Sequence, residues 1–293
     1  MLSRTVLLRS MLHRLFTMNA MVWLYSILFD LVFLAILLVF HPLLALAGVI
    51  SRELFWRIFI VMNRALVWNL RICGRTTIIV SGAENIPHSE RPVLVIANHQ
   101  SMFDIPLLIT TFWPRQTRFI AKKELARGVP SVSIGLRLSQ AALINRSDRR
   151  QAIHEIRAFS QSVGEANGTA CIFPEGTRAK SGVMKPFKPI GAATFLKQVP
   201  HALVCPVAIH GSWFIVRRAL WPFEARQTVR ITILPPIEAG SIEPQGLVAM
   251  CEAQIAPLVR DERAVQELEQ EDSTGNQVAN EEVGDPVIGI STH

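Results

Sequence analysis

Cysteine is scarce: Cys73, Cys171, Cys205 and Cys251 are the only four in 293 residues, and none lies at metal-ligand or redox spacing from another. A disulfide-stapled scaffold and a cysteine zinc site therefore lack support, and a reducing compartment is favoured. Neither a mononucleotide nor a dinucleotide glycine-rich loop is present, and no internal repeat is visible, which argues against nucleotide-phosphate cradles and solenoids. Charged residues make up only 18% of the chain against 50% apolar, with a mean hydropathy of +0.31. That balance sits toward the membrane-associated edge of globular proteins, and the length accommodates one large domain with appendages.

The net charge of +7 understates the basic character of the body, because residues 261–293 carry nine acidic side chains against the single Arg263. A basic body suits anionic headgroups, phosphorylated substrates or nucleic acid. Nucleic acid is disfavoured, since no recognition-helix signature and no aromatic-basic interleaving occur outside the apolar segment. That segment, residues 20–50, is the one long lipid-like stretch, interrupted by Asp30 and His41-Pro42. Arg4, Arg9, His13 and Arg14 precede it, but the stretch is too long for a signal core. A membrane span, a shallowly inserted helix or helical hairpin, and a soluble core helix all bury the same side chains. The following ELFWRIFIVMNRALVWNLRI mixes arginine with apolar and aromatic residues at helical spacing, as an interfacial amphipathic helix or one packed on the core does.

Beyond Gly74 the apolar periodicity shortens to strand length. Strands are predicted at 76–80, 92–98 and 118–121, and in AALIN, TACIF, LVCPVAI and TVRITIL. Helices are predicted around Ile105 to Phe112, from Asp148 to Val163 and near Gly191 to Gln198. This alternation is α/β and not a bundle. The tail after about residue 270 is polar, acidic and poor in periodic apolar residues, the composition of a disordered segment.

Two short stretches carry candidate chemistry. NHQSMFD places His99 after a buried strand and Asp104 five residues later. On a continuous helix these would point about 140° apart, so they meet only if His99 occupies the strand-to-helix turn. Such a pair supplies a base held in one tautomer by a carboxylate; alone, a His and an Asp at this separation are more often structural. FPEGTR, residues 173–178, follows the predicted strand TACIF. Pro174 and Gly176 shape a turn, Arg178 offers a guanidinium fork for phosphate, and Glu175 can orient that fork or meet a substrate hydroxyl. Ser101 lies inside its motif and on no G-x-S-x-G elbow, and Cys171 and Cys205 sit in apolar strands as packed thiols.

NHQSMFD and FPEGTR, in this order and about 70 residues apart, resemble the two principal motifs of the glycerolipid acyltransferase family that contains the 1-acyl-sn-glycerol-3-phosphate acyltransferases. The resemblance covers roughly residues 75–235. RFIAKKEL at 118–125, Pro130 and ALINR resemble a middle motif, and VCPVAI at 204–209 a last one, with Ser133 and Asn145 departing from the usual pattern.

The resemblance implies a mixed central sheet flanked by helices, with N-terminal membrane-associated helices. It implies transfer of an acyl group from acyl-CoA or acyl carrier protein to the free hydroxyl of a lysophospholipid, with no tightly bound cofactor and no metal. Carried over by position, His99 matches the general base and Asp104 its orienting carboxylate. Arg178, Glu175, Gly176 and Thr177 match the acceptor-binding turn, Lys122 and Lys123 match basic residues on the phosphate side, and Asn98 and Pro206 are supporting positions. The expected division is a membrane-anchoring region at 1–74, a catalytic domain at 75–260 and an acidic flexible tail at 261–293. The expected partners are lysophospholipid, membrane lipid and acyl carrier protein, without nucleic acid. The expected location is the cytoplasmic face of a bacterial inner membrane. Another lysophospholipid or a lyso-aminolipid as acceptor, and a noncatalytic membrane-binding role, remain the alternatives.

Overall fold

The structure is a computed structural model that describes residues 20–179, 181–217 and 221–260. The acidic tail at 261–293 and the basic cluster of Arg4, Arg9, His13 and Arg14 lie outside the described residues.

Eight strands form one mixed sheet. Its centre is β2 (Val93–Ala97), whose five residues are all buried, as a β-branched run covered on both faces must be. One side of it carries β5 (Thr169–Ile172), β3 (Thr117–Lys122) and β4 (Ala142–Ile144), and the other carries β6 (Leu203–His210), β7 (Thr228–Ile233) and the edge strand β1 (Thr77–Ser81). The short β8 (Ile237–Glu238) pairs with β6. Strands β6, β2, β5, β3 and β4 run parallel. The antiparallel β6–β7 pairing reverses β7 and the β1 parallel to it.

Helices cover both faces. On one, α5 (Arg149–Glu165) turns Ile156, Phe159, Ser160 and Val163 inward, and Asp148 caps it by accepting from Arg150 N and Gln151 N. It packs with α6 (Ile190–Gln198) and α8 (Pro244–Val259) over Leu94, Ile96 and Val204. Short helices α3 (Asp104–Thr111), α4 (Val132–Leu138) and α7 (Ser212–Val216) complete the body around the sheet. The predicted strands and helices are found within a few residues of their expected bounds, whereas α4, α7, α8 and β8 had no periodic signal strong enough to place them.

The other face is closed by two N-terminal helices, α1 (Ala20–Ile50) and α2 (Arg52–Ile72). Ser51 separates them and accepts from Leu54 N, capping α2. Helix α1 runs through Pro42 without a break, so His41-Pro42 does not interrupt it as the sequence suggested. The turn that proline weakens is tied down from outside: Ser131 Oγ donates to Leu37 O at 2.6 Å, and Ser131 N donates to His41 Nδ1 at 2.9 Å.

Residues 20–74 pack into the same core as the sheet. Phe29, Leu44, Phe55 and Trp56 share one core with Val93, Val95, Cys205 and Ile209. Phe29 stacks on Phe223 at 3.8 Å, and Asn69 Nδ2 donates to Phe29 O at 3.1 Å. Away from this core, α1 exposes Leu24, Leu31, Leu38, Leu46 and Val49. The stretch Val22–Ile50 is long and apolar enough to cross a membrane, and only 17% of its apolar window is buried within the protein. A soluble core helix would be mostly buried, so the exposed stripe marks α1 as membrane-associated.

Because Phe29 fills space beneath the sheet, Phe29→Ala is expected to destabilise the protein by about 3–5 kcal/mol, and a chain beginning at Arg75 is expected to aggregate. Thermal melting in detergent checks the first and gel filtration the second. A stable, monodisperse chain from Arg75 would restore the independent domain boundary.

Candidate active site

Parallel strands that share a sheet end their carboxyl termini on one edge, where crevices form. Here β6, β2, β5 and β3 are adjacent in that order. The four motifs of the sequence therefore meet: VCPVAI in β6, NHQSMFD after β2, FPEGTR after β5 and the lysines at the end of β3.

His99 leaves β2 through a position locked on both sides. Asn98, fully buried, donates to Ile209 O at 2.8 Å and accepts from Ile209 N at 2.7 Å, fixing the strand end to β6. The His99 amide donates to Glu175 Oε1 at 2.6 Å, and its carbonyl accepts from Ala179 N at 2.8 Å. The ring lies nearly flat on Phe173, with centroids 4.1 Å apart at 14°.

The chain then makes a tight turn, in which Ser101 Oγ accepts from Phe103 N, before α3 begins at Asp104. This turn, and not a helix, lets residues five apart face each other. Asp104 is fully buried, and its Oδ2 accepts from His99 Nδ1 at 2.9 Å and from the amides of Gln100 and Ser101 at 2.8 Å each. Its other oxygen accepts from Ser212 Oγ at 2.6 Å. Four donors thus compensate one buried carboxylate, which uncompensated would cost several kcal/mol. With Nδ1 donating to Asp104, His99 Nε2 carries the lone pair and makes no hydrogen bond among the described residues.

Ser212 and Phe173 are the contributors that residue-by-residue reading of the sequence did not assign. The signal for Ser212 is the Gly-Ser step directly after β6. Gly211 has φ +85°, and a Cβ there would run into the carbonyl of Thr228, so the chain can reverse closely enough to aim Ser212 at Asp104.

Glu175 is placed differently from its sequence reading. It is 1% exposed, and its second oxygen accepts from Lys185 N at 3.0 Å, so both oxygens serve backbone amides instead of reaching Arg178 or solvent. Burial pushes its carboxyl above the ordinary value, while the amides of His99 and Lys185 pull the other way. Its carboxylate therefore braces the two motif loops against each other.

Gly176, at φ +74°, turns the chain outward after it. Thr177 and Arg178 are consequently exposed, and the Arg178 guanidinium has no protein partner among the described residues. Lys122 and Lys123 are exposed as well, Lys122 lying 3.6 Å from Glu124. Pro206 stands mid-strand opposite Ile96, with its carbonyl accepting from Leu234 N. Ser133 Oγ accepts from Val129 N, and Asn145 Oδ1 accepts from Ser147, so both departures from the family pattern make local turn contacts.

Neither Ser101 nor the two strand cysteines is placed to act as a nucleophile. Ser101 is fully buried in its turn. Burial pushes the Cys171 thiol up, and that of Cys205 up to about 12, which keeps both protonated. Among the described residues no cluster of three His, Cys, Asp or Glu side chains could hold a metal ion.

Residues 77–210 match the family model described as Acyltransferase. Beyond that match, the chain is similar to proteins with named acyltransferase activities. It is 32% identical over 165 residues to a 1-acyl-sn-glycerol-3-phosphate acyltransferase of Saccharomyces cerevisiae, covering 56% of this chain and 52% of that one. To the Pseudomonas aeruginosa protein of the same name it is 28% identical over 195 residues, covering 66% and 72%. The chain spans about half the length of several of the curated relatives it matches. The crystal structure of the 1-acyl-sn-glycerophosphate (LPA) acyltransferase PlsC from Thermotoga maritima superposes with a TM-score of 0.65 at 26% identity, covering 84% of this chain and 95% of that one. The mixed sheet with flanking helices is thus the fold of that family member.

Glu175 separates bracing from substrate contact. Glu175→Ala leaves two inward-facing amides unpaired, at about 1–3 kcal/mol each, so the melting temperature is expected to fall by several degrees along with turnover. An unchanged melting temperature with a raised Michaelis constant for acceptor alone would return Glu175 to substrate binding.

Proposed function

We propose that this protein is a 1-acyl-sn-glycerol-3-phosphate O-acyltransferase, transferring a fatty acyl group from acyl-CoA or acyl carrier protein to the free hydroxyl of its acceptor to form phosphatidic acid. The observation that carries the reading is the His99–Asp104 pair, which leaves His99 Nε2 unengaged on the sheet edge where the FPEGTR turn presents Arg178. The match of residues 77–210 to the acyltransferase family model and the printed activities of the relatives support the substrate class.

In this reading His99 Nε2 takes the acceptor hydroxyl proton as the oxygen attacks the thioester carbonyl carbon. A C–O bond forms, the tetrahedral intermediate collapses, the C–S bond breaks, and the leaving thiolate recovers the proton from His99. Asp104 holds the imidazole in the required tautomer and stabilises the imidazolium between these two transfers. Arg178 holds the acceptor phosphate with its planar fork, and Lys122 and Lys123 add positive potential beside it. The exposed apolar face of α1 keeps this edge at the bilayer from which the acceptor comes. The cytoplasmic face follows from where the donors reside.

Purified protein in detergent, supplied with defined lysophospholipids or a lyso-aminolipid and either thioester, tests reaction, acceptor and donor together. Phosphatidic acid is the expected product; acylation of a lyso-aminolipid alone, or no acylation at all, would contradict the reading. His99→Ala is expected to lower turnover by about 10²–10⁴-fold in a protein that still folds, with a melting temperature a few degrees lower because the buried Asp104 loses one of its donors. Arg178→Lys keeps the charge but loses the fork, and is expected to raise the Michaelis constant for acceptor by about tenfold. Wild-type constants in a folded Arg178→Lys protein would remove Arg178 from phosphate binding.

A further inference from the structure

Helix α2 turns Phe55, Phe59, Leu66 and Leu70 toward the core. Its outer stripe, at helical spacing, reads Arg57, Val61, Arg64, Trp68 and Arg71. Arg57 is paired with Glu53 at 2.6 Å. Arg64 and Arg71 are both exposed and have no hydrogen bond or ion pair among the described residues. They stand two turns apart, about 10 Å along the axis, with the 55% exposed Trp68 between them.

Between this stripe, the edge strand β1 and the end of α3 lies a cleft of about 490 Å³, lined by Arg64, Trp68, Arg71, Val80, Leu107 and Thr110 among others. Its volume falls within the range of roughly 300–1,000 Å³ typical of small-ligand sites. Neither His99, Asp104 nor any residue of the FPEGTR turn lines it, so it is separate from the site described above.

We propose that this cleft binds one anionic phospholipid from the bilayer, its phosphate held between Arg64 and Arg71 and its acyl chain laid along Trp68, Ile78 and Val80. Two unpaired guanidiniums with no carboxylate in the lining call for an anion, and a phosphate accepts their forks bidentately. A free anion leaves the indole and aliphatic walls unused, whereas a lipid satisfies both parts. The cleft also lies on the helix pair whose other member exposes Leu31, Leu46 and Val49, which places it beside the membrane. The indole edge suits the headgroup level of a bilayer. Because the cleft stands apart from His99, the proposal does not depend on the acyl-transfer reading.

The test uses the full chain in vesicles of neutral phospholipid containing a trace of phosphatidylglycerol with a photoactivatable group on its acyl chain, followed by mapping of the adducts. Adducts are expected on residues 64–71 and 78–80. They should fall about tenfold or more in Arg64→Gln/Arg71→Gln, and stay unchanged in Arg149→Gln/Arg150→Gln, which removes the same charge from exposed positions on α5. Labelling confined to α1 would overturn the proposal, as would equal labelling by a neutral phosphatidylcholine probe, a comparison that needs no variant. Equal loss in the α5 control would mean diffuse charge attraction instead of a site. Suppression of labelling by millimolar inorganic phosphate would mean a free-anion site, and would likewise overturn it.

Discussion

The Asp104 carboxylate is the constraint on which the site depends. A fully buried charge is tolerated only when donors surround it, and here the four come from three places: the turn after β2, the imidazole on that turn, and Ser212 beyond β6. Meeting that requirement fixes where α3 starts, how sharply the chain leaves β2 and why a glycine precedes Ser212. The His99 ring is then oriented from one edge by Asp104 and from one face by Phe173, while Glu175 holds its backbone. The ring is thus held in position by the protein alone, the preorganisation that the proposed general-base step calls for.

The sheet supplies the rest. Four adjacent parallel strands bring segments from residue 99 to residue 212 to one edge, and the reversal at β7 leaves β1 as the sheet's outermost strand on that side. The two N-terminal helices are consequently part of the same packed body as the sheet. Phe29 lies against Phe223, and Leu37 and His41 are tied to Ser131. For the proposed function this union matters, because the apolar outer face of α1 and the sheet edge that carries His99 cannot drift relative to one another.

The sequence was most legible where the signal was local. The continuous run of β2, the strand TACIF and the Asp148 cap of α5 each state their structure within a few residues, and the motif pair marked the site. What could not be read depends on partners distant in sequence. Glu175 looks like a solvent-facing acid in a charged turn until β5 is seen beside β2, where two amides wait for it. Ser212 acquires meaning only through the carboxylate 108 positions earlier. Helix α8 carries Pro244, Pro257 and a nearly uniform apolar composition, so no helical period stands out. Composition changes sharply near Gly74, yet packing does not, since a hydrophobic helix meets a hydrophobic sheet as readily as it meets lipid.

The account turns on the charge of Asp104, and turnover by purified, full-length Asp104→Asn with lysophosphatidic acid and an acyl thioester measures it most directly. Asparagine can keep an oxygen toward the His99, Gln100 and Ser101 donors and turn its amide to Ser212, so the fold should survive while the imidazolium loses its counter-charge. The expected result is a turnover lower by about 10³-fold or more, with a melting temperature within a few degrees of wild type. Near-wild-type turnover in the folded variant would contradict the role assigned to this carboxylate and, with it, the base assigned to His99.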